Sequence, residues 1–196
     1  MILYLHGFRS SPQSFKARLM EKAMAARGAS GLWRCPQLPA SPAAAIIVAR
    51  EMARELIDAG PDNDPSQLAI VGSSLGGYYA TWLAEELGAR AVLLNPAVQA
   101  PRDLATQVGS HTEFHRDAPF VFLPEYVCEL AAISVARITR PERYLLVAAT
   151  GDEVLNWQEM RDFFPGCQQM IIQGSDHGLS DFETWLPEVM DFTGHA

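Results

Sequence analysis

The chain has 196 residues, of which 48% are hydrophobic and 19% charged, a composition that excludes an intrinsically disordered protein. This length predicts one domain, residues 1–196, that buries a full hydrophobic core. The formal net charge of -8 argues against nucleic acid or an anionic membrane surface as a partner.

The cysteines and the N-terminus indicate a reducing compartment. Cys35, Cys128 and Cys167 are far apart and form no C-x-x-C pair, so we expect free thiols and no structural metal site. The N-terminal residues enter a strand directly, and no charge-free apolar run reaches about 18 residues. We therefore expect a cytoplasmic protein without a signal peptide or a membrane span.

The first half of the chain alternates short apolar runs with helical patterns. Ile2–Leu5 is predicted to be a strand, and Ser11-Pro12 to cap a helix that ends at Gly28. The face of this helix is predicted to carry Phe15, Leu19, Ala23 and Met24. The other elements predicted here are strands at 32–35 and 68–71, and helices at Pro42–Ala59 and Leu75–Leu87, the last capped by Gly88.

The second half continues with strands predicted at 91–94, Tyr144–Ala149 and 170–172. A long segment between the first two of these strands contains one predicted helix, near 125–135. At the C-terminus, Ser180 and Glu183 match a capping box. Pro187 interrupts the helix behind them, so we expect two short helices or one that begins anew at this proline.

Strands that are continuous apolar runs, alternating with helices, are typical of a parallel sheet covered on both faces. The sequence therefore predicts an α/β fold with a mostly parallel sheet. A connection as long as 97–143 is more often a lid or binding segment than an idle loop.

The segment "GSSLGG", residues 72–77, lies where a predicted strand meets a predicted helix. A phosphate-binding loop would require a lysine after the glycines, and a dinucleotide fingerprint would require a different glycine spacing. The segment does match G-x-S-x-G, the nucleophile elbow, in which small residues two before and two after the serine let strand and helix approach closely. We interpret Ser74 as a nucleophile; the alternative is a turn of small residues without chemistry.

A serine nucleophile needs a base and an acid, which in this architecture follow it at the ends of later strands. His177, in "GSDHG", is the predicted base, and Asp152, directly after "YLLVAATG", is the predicted acid. Glu153 and Asp176 are alternatives for the acid. Of the remaining histidines, His111 and His115 lie in the long insert and fit solvent exposure or substrate contact better than base catalysis, and His195 is expected to lie at a frayed terminus.

The predicted oxyanion hole consists of two backbone N–H groups. The N–H of Leu75 follows the nucleophile, and the N–H of Phe8 lies in "YLHGF", after the first strand. His6 is expected to brace this loop rather than to transfer protons, and an ordinary strand-ending turn is the alternative for the whole motif.

Taken together, these motifs resemble an α/β-hydrolase, and more closely the small bacterial YqiA-like esterases. The resemblance rests on "LYLHGFRSSPQSFKA", "PQLP", "IVGSSLGGYYATWLA", "NPAV", "TGDEVL" and "DHG", in that order. It implies an α/β-hydrolase fold whose sheet lacks the usual first two strands, and an insert at 97–143. It further implies a catalytic triad of Ser74, Asp152 and His177 that hydrolyses acyl esters or thioesters without a metal or cofactor.

The expected partner is a small-molecule acyl ester or thioester, because no further domain is predicted that would hold a chain substrate. Arg9 is either a contact for an anionic substrate group or a solvated surface residue. The aromatic residues that could line an acyl pocket, or belong to the core, are Phe8, Tyr78, Phe120, Phe122 and Trp157. The rival interpretation is a catalytically silent fold that binds a ligand or partner.

Overall fold

The computed structural model, which describes residues 1–114 and 118–195, is built on a six-stranded parallel sheet. His115 lies outside the described residues. The strands of this sheet are β1 (Ile2–Leu5), β2 (Trp33–Arg34), β3 (Ala69–Ser73), β4 (Arg90–Leu94), β7 (Tyr144–Ala149) and β8 (Gln168–Ile172), and their spatial order is β2-β1-β3-β4-β7-β8. A separate antiparallel hairpin consists of β5 (Gly109–Thr112) and β6 (Pro119–Phe122).

Helices cover both faces of the sheet. They are α1 (Phe15–Ala26), α2 (Pro42–Ala59), α3 (Leu75–Leu87), α4 (Ala100–Leu104), α5 (Pro124–Ala132), α6 (Trp157–Phe163) and α7 (Phe182–Phe192). Buried residues of α1 and α7 pack in one cluster with alternate strand residues such as Tyr4 and Val71, and buried residues of α2 and α3 pack in a second cluster with Leu3 and Ile70. Because neighbouring strand residues point to opposite faces, both layers bury apolar side chains, and the prediction of a parallel sheet covered on both faces is confirmed.

Several predicted elements have the observed bounds, namely α2, α3 and β7. The helix α3 ends at Gly88 in the left-handed conformation, φ +74°, as its capping pattern predicts. All three cysteines are free thiols. Among residues 1–114 and 118–195, no helix is long and apolar enough to cross a membrane.

The prediction for α1 was wrong in its start and in the burial of Phe15. The helix begins at Phe15, and the Ser11 hydroxyl accepts the N–H of Gln13 in a turn that precedes it. Phe15 is half exposed, but the rest of the predicted face, Leu19, Ala23 and Met24, does pack against the core. Lys16 is also buried, with its ammonium bonded to a carbonyl.

The prediction for the C-terminus was also wrong, because α7 is one helix with Pro187 inside it. Its N-cap is Asp181, and the predicted cap, Ser180, instead donates its N–H to the Asp176 carboxylate. A proline removes one helical hydrogen bond, but the helix flanking it is fixed to the sheet by Phe182 and Met190, which are buried.

The insert at 97–143 contains more structure than its sequence predicted: α4, the hairpin and α5, which is shorter than the predicted 125–135. The hairpin packs on the loop after β1. The Phe8 ring contacts the rings of Phe120 and Phe122 edge-on, at centroid distances of 5.0 and 5.3 Å. The Phe114 N–H donates to the Arg9 carbonyl at 2.8 Å. The insert therefore lies beside the predicted oxyanion loop.

Candidate active site

Ser74 occupies the turn between β3 and α3, with φ +55° and ψ -120°. A non-glycine residue held in such a conformation costs about 1–3 kcal/mol and is typical of functional sites. Ser74 is partly exposed although the residues on both sides of it are buried. The turn therefore presents one hydroxyl at the carboxyl end of a central strand.

The glycines beside Ser74 are required by the close approach of three backbone segments. A Cβ on Gly72 would lie 2.2 Å from the carbonyl oxygen of Gly76, and a Cβ on Gly76 would lie 1.9 Å from the carbonyl oxygen of Leu5. Both distances are far below van der Waals contact. The glycines of the elbow pattern are therefore required by the close packing of β1, β3 and α3.

The structure brings Ser74, His177 and Asp152 into hydrogen-bonding contact. The Ser74 Oγ lies 3.0 Å from His177 Nε2, and His177 Nδ1 lies 2.8 Å from Asp152 Oδ2. The Asp152 side chain is fully buried, and the His177 side chain is 20% exposed. Glu153, the alternative acid, instead accepts the backbone N–H of His177 at 3.0 Å.

The hydrogen-bond network assigns the tautomer of His177. The ionised carboxylate of Asp152 can only accept, so Nδ1 carries the ring proton and Nε2 is left to accept from the Ser74 hydroxyl. The second oxygen of Asp152 accepts the N–H groups of Val154 and Leu155, both at 2.8 Å. These bonds fix the carboxylate where it faces the imidazole.

Asn95, which the sequence patterns did not single out as a site residue, holds the histidine loop. It is fully buried directly after β4, with φ +43°. Its amide nitrogen donates to the carbonyls of Asp176 and His177, at 3.0 and 3.1 Å, and its amide oxygen accepts the N–H of Ala149. The sequence could have indicated Asn95, because a polar residue at the carboxyl end of a buried parallel strand is typical of a functional site.

Lys16 is a second residue beside these contacts that the sequence patterns did not identify. Its ammonium donates to the carbonyl oxygen of Gly178, next to His177, and its side chain is buried. Burial lowers the pKa of Lys16 from the ordinary 10.5 to about 8, although Asp176 and Asp152 act in the opposite direction. A lysine on an amphipathic helix is normally exposed, so no local pattern indicates this position.

His6 braces the predicted oxyanion loop. The His6 ring is buried and accepts the N–H of Leu38 at Nε2, at 3.0 Å, while its Nδ1 lies 3.0 Å from the carbonyl oxygen of Gly7. Leu75 is the first residue of α3, so its N–H has no intrahelical acceptor. Over the described parts of the chain, neither this N–H nor that of Phe8 bonds to a loop or turn carbonyl.

A cleft of about 630 Å³ opens onto Ser74 and His177. Of the aromatic residues expected to line an acyl pocket, only Phe8 borders this cleft. Tyr78 and Phe122 are buried in the core. One wall of the cleft is apolar and consists of Leu75, Ala97, Leu104, Phe114, Val154 and Leu155, whereas the rest of its lining is polar and includes Arg102, Asp103, Thr106 and Gln107.

Arg9 also borders the cleft, but its guanidinium is engaged. Its Nε donates to the carbonyl of Thr112 at 2.8 Å, and the group stacks over the Phe114 ring at 4.5 Å. The remaining described histidines contact other groups. The His111 Nε2 lies 2.7 Å from the carbonyl of Gln107, and the N-terminal amine lies 3.1 Å from His195 Nε2. No group of three potential metal ligands occurs among the residues that the structure describes.

Comparison with known proteins gives a family and a fold. The model of a family described as "Uncharacterised protein family (UPF0227)" matches residues 1–194. A structure reported with LipS and LipT, two metagenome-derived lipolytic enzymes, superimposes with a TM-score of 0.72 at 18% identity, covering 100% of this chain and 93% of the other. Alpha/beta hydrolase domain-containing protein 10 from mouse gives a TM-score of 0.65 at 16% identity, covering 97% and 89%.

A monoacylglycerol lipase from Paleococcus ferrophilus gives a TM-score of 0.65 at 16% identity, covering 100% of this chain and 94% of the lipase. At such identities the likeness establishes the fold alone. The fold is that of the α/β-hydrolases, so the resemblance seen in the sequence motifs is confirmed at this level.

Proposed function

Since the chain belongs to the UPF0227 family and has an α/β-hydrolase fold, we propose that it is a serine hydrolase of acyl esters or thioesters. One observation carries the proposal: the unbroken chain of contacts from Ser74 Oγ through the His177 ring to the buried Asp152 carboxylate. The structures similar in fold include lipolytic enzymes and a monoacylglycerol lipase, which favours ester substrates.

In the first step, Ser74 Oγ attacks the substrate carbonyl carbon while its proton passes to His177 Nε2. The carbonyl oxygen takes the negative charge and is held by the N–H groups of Phe8 and Leu75. Collapse of this intermediate breaks the bond to the alcohol or thiol, which leaves with the proton from His177. Asp152 holds the imidazole in the correct tautomer and stabilises its charged form.

In the second step, a water molecule gives one proton to His177 Nε2 as its oxygen attacks the acyl carbon. The bond to Ser74 breaks, the serine recovers its proton, and the carboxylic acid leaves. Overall, one ester or thioester and one water are consumed, and one carboxylic acid and one alcohol or thiol are released. The apolar wall of the cleft beside Ser74 suits a hydrocarbon portion of the substrate.

A fluorophosphonate probe tests the nucleophile. We expect the probe to add mass to the peptide that contains Ser74, and the Ser74→Ala variant to remain unlabelled. Ser30→Ala is the matched control, since Ser30 is exposed and borders neither the cleft nor the contacts described above. An unlabelled wild-type protein, with a probe that labels a reference hydrolase, contradicts the proposal.

A substrate panel tests the reaction. Nitrophenyl esters and acyl-CoA thioesters of increasing acyl length are incubated with wild type and with Ser74→Ala. We expect hydrolysis by wild type, and a loss of at least about 10³ in kcat for the variant. Equal rates for the two proteins would support a silent binding protein instead.

A further inference from the structure

A second hollow, of about 260 Å³, also opens onto Ser74 and His177. Phe8 and Phe114 border both it and the larger cleft, so the two compartments meet at the proposed nucleophile. The rest of its lining combines the Phe15 ring with polar side chains, namely Tyr4, Ser10, Ser14 and Lys16. We name this compartment the lysine pocket.

Lys16 gives the lysine pocket a buried cation without an adjacent anion. Its side chain is 8% exposed, and the carbonyl of Gly178 accepts one of its three N–H groups. Within the described residues, no carboxylate oxygen lies within 4 Å of this ammonium. Buried charges are normally paired with an opposite charge, and this ammonium has no such partner in contact with it.

The acids nearest to Lys16 are already bound to other donors. Asp152 accepts from His177 and from two backbone N–H groups, and Asp176 accepts the N–H of Ser180 at 2.8 Å. Both carboxylates act on the Lys16 ammonium only through longer-range attraction. Neither carboxylate therefore occupies the remaining N–H groups of Lys16, which are left to bind another acceptor.

Two hydroxyl groups of the same pocket indicate a missing ligand independently. The hydroxyls of Tyr4 and Ser14 are buried and have no hydrogen-bond partner among the described residues. The hydroxyls of Ser14 and Ser73 come close enough to Tyr4 to oppose the rise in its pKa, but burial dominates and raises that pKa. Neither serine hydroxyl makes a hydrogen bond of acceptable geometry with the Tyr4 hydroxyl. Buried hydroxyls without a partner are rare in native proteins and therefore require an explanation.

We propose that the lysine pocket binds a small carboxylate carried by the ester that Ser74 cleaves. This inference rests on the proposed hydrolase function. A carboxylate offers two acceptor oxygens, which match the free N–H groups of Lys16 and the hydroxyls of Tyr4 and Ser14. The pocket, at about 260 Å³, has room for a carboxylate and a short linker, since one water takes about 30 Å³ of liquid volume. The hydrocarbon portion of the same ester would lie along the apolar wall of the larger cleft.

The carboxylate could belong to the acid or to the alcohol of the ester, and two pairs of substrates distinguish these sources. Hexyl hydrogen succinate and hexyl succinamate differ only by a carboxylate or a carboxamide on the acid side. Hexanoyl glycolate and hexanoyl glycolamide differ in the same way on the alcohol side. Chromatography of the released hexanol or hexanoate gives kcat/KM for each ester.

We expect wild type to prefer the charged member of one pair by about tenfold or more, the ratio that a charge-assisted hydrogen bond provides. Lys16→Met should abolish most of this preference, and Lys16→Arg should retain part of it because the charge remains. A Lys16→Met variant that loses kcat/KM equally on both members of each pair overturns the proposal, since Lys16 would then only position the histidine loop.

Binding to Ser74→Ala separates this proposal from the proposed function. Calorimetry with the four intact esters should show the charged member of one pair bound at least about tenfold more tightly, and Ser74→Ala/Lys16→Met should lose that difference. Such binding without hydrolysis by wild type supports the lysine pocket while the proposed function fails. Hydrolysis and binding without any preference for charge overturn the lysine pocket while the hydrolase stands.

Tyr4→Phe keeps the test informative if Lys16→Met fails to fold. This change removes one unpartnered hydroxyl without altering the packing of the ring. We expect a severalfold loss of the preference for the charged ester and no fall in the melting temperature. A fall in melting temperature with an unchanged preference would mean that the hydroxyl serves the fold, and would count against the pocket.

Discussion

Replacing Lys16 by methionine is expected to stabilise the folded protein at neutral pH. Burial lowers the pKa of Lys16 from 10.5 to about 8, so the charged lysine disfavours the folded state by about 3 kcal/mol at neutral pH, given about 1.4 kcal/mol per pKa unit. Methionine has a similar shape and no charge. Its introduction also removes the hydrogen bond to Gly178, which costs about 1 kcal/mol.

The net gain is therefore about 2 kcal/mol, which raises the melting temperature of a chain of this length by about 4–8 °C. The sign of the pH dependence follows from proton binding. Between pH 8 and 10.5 the unfolded lysine binds a proton that the folded one does not, so wild type gains stability as pH rises through this window. The variant lacks this gain, and the difference in stability should shrink by pH 10.5.

Denaturant unfolding of both proteins at pH 7 and at pH 10 measures this difference. Lys22→Met, on the same helix, is the matched control, because Lys22 is exposed and its replacement should change the free energy of unfolding by less than about 0.5 kcal/mol. The reasoning is refuted if Lys16→Met is less stable than wild type at pH 7, or if the difference is the same at both pH values.

Three further changes test the site. Asp152→Asn should lower kcat for nitrophenyl hexanoate by about 10⁴ with the fold intact, whereas Asp162→Asn, at an exposed ion pair, should not. Gly76→Ala should yield no folded protein by circular dichroism, since its Cβ would lie 1.9 Å from a backbone oxygen; Gly31→Ala, with open space around it, should fold. Phe114→Ala should reduce the preference for hexanoyl over acetyl esters about fivefold, measured as a ratio of kcat/KM.

Much of the fold could be predicted because its signals are local. An apolar run predicts the bounds of β7, and a helical pattern with its capping glycine predicts those of α3. Parallel strands also bring their carboxyl ends to one edge of the sheet. That edge explains why side chains 74, 152 and 177, which are distant in sequence, could be expected to meet. Tertiary packing decided the rest: it overrides the helix-breaking tendency of Pro187, and it turns Lys16 inward, where a pattern of helical spacing assigns a lysine to solvent.

Most of the described non-glycine residues with positive φ lie close to the proposed catalytic contacts; Asp62 and Asn63, in the loop after α2, are the exceptions. Ser74 and Asn95 have positive φ angles after adjacent strands, and Ser175 and Leu179 have them on either side of His177. Such conformations persist only where surrounding contacts fix them. The histidine loop is fixed by bonds from three separate elements, through Asn95 after β4, Glu153 after β7 and Lys16 of α1.

These bonds hold the loop backbone, while the imidazole itself is held by Asp152 and Ser74. A ring held in this way needs little reorganisation when charge develops on it, which is the property that a general base in acyl transfer requires. Most of the strained conformations among the described residues thus lie in the loops that carry this hydroxyl and this imidazole, which is the distribution expected if the strain serves the proposed reaction at Ser74.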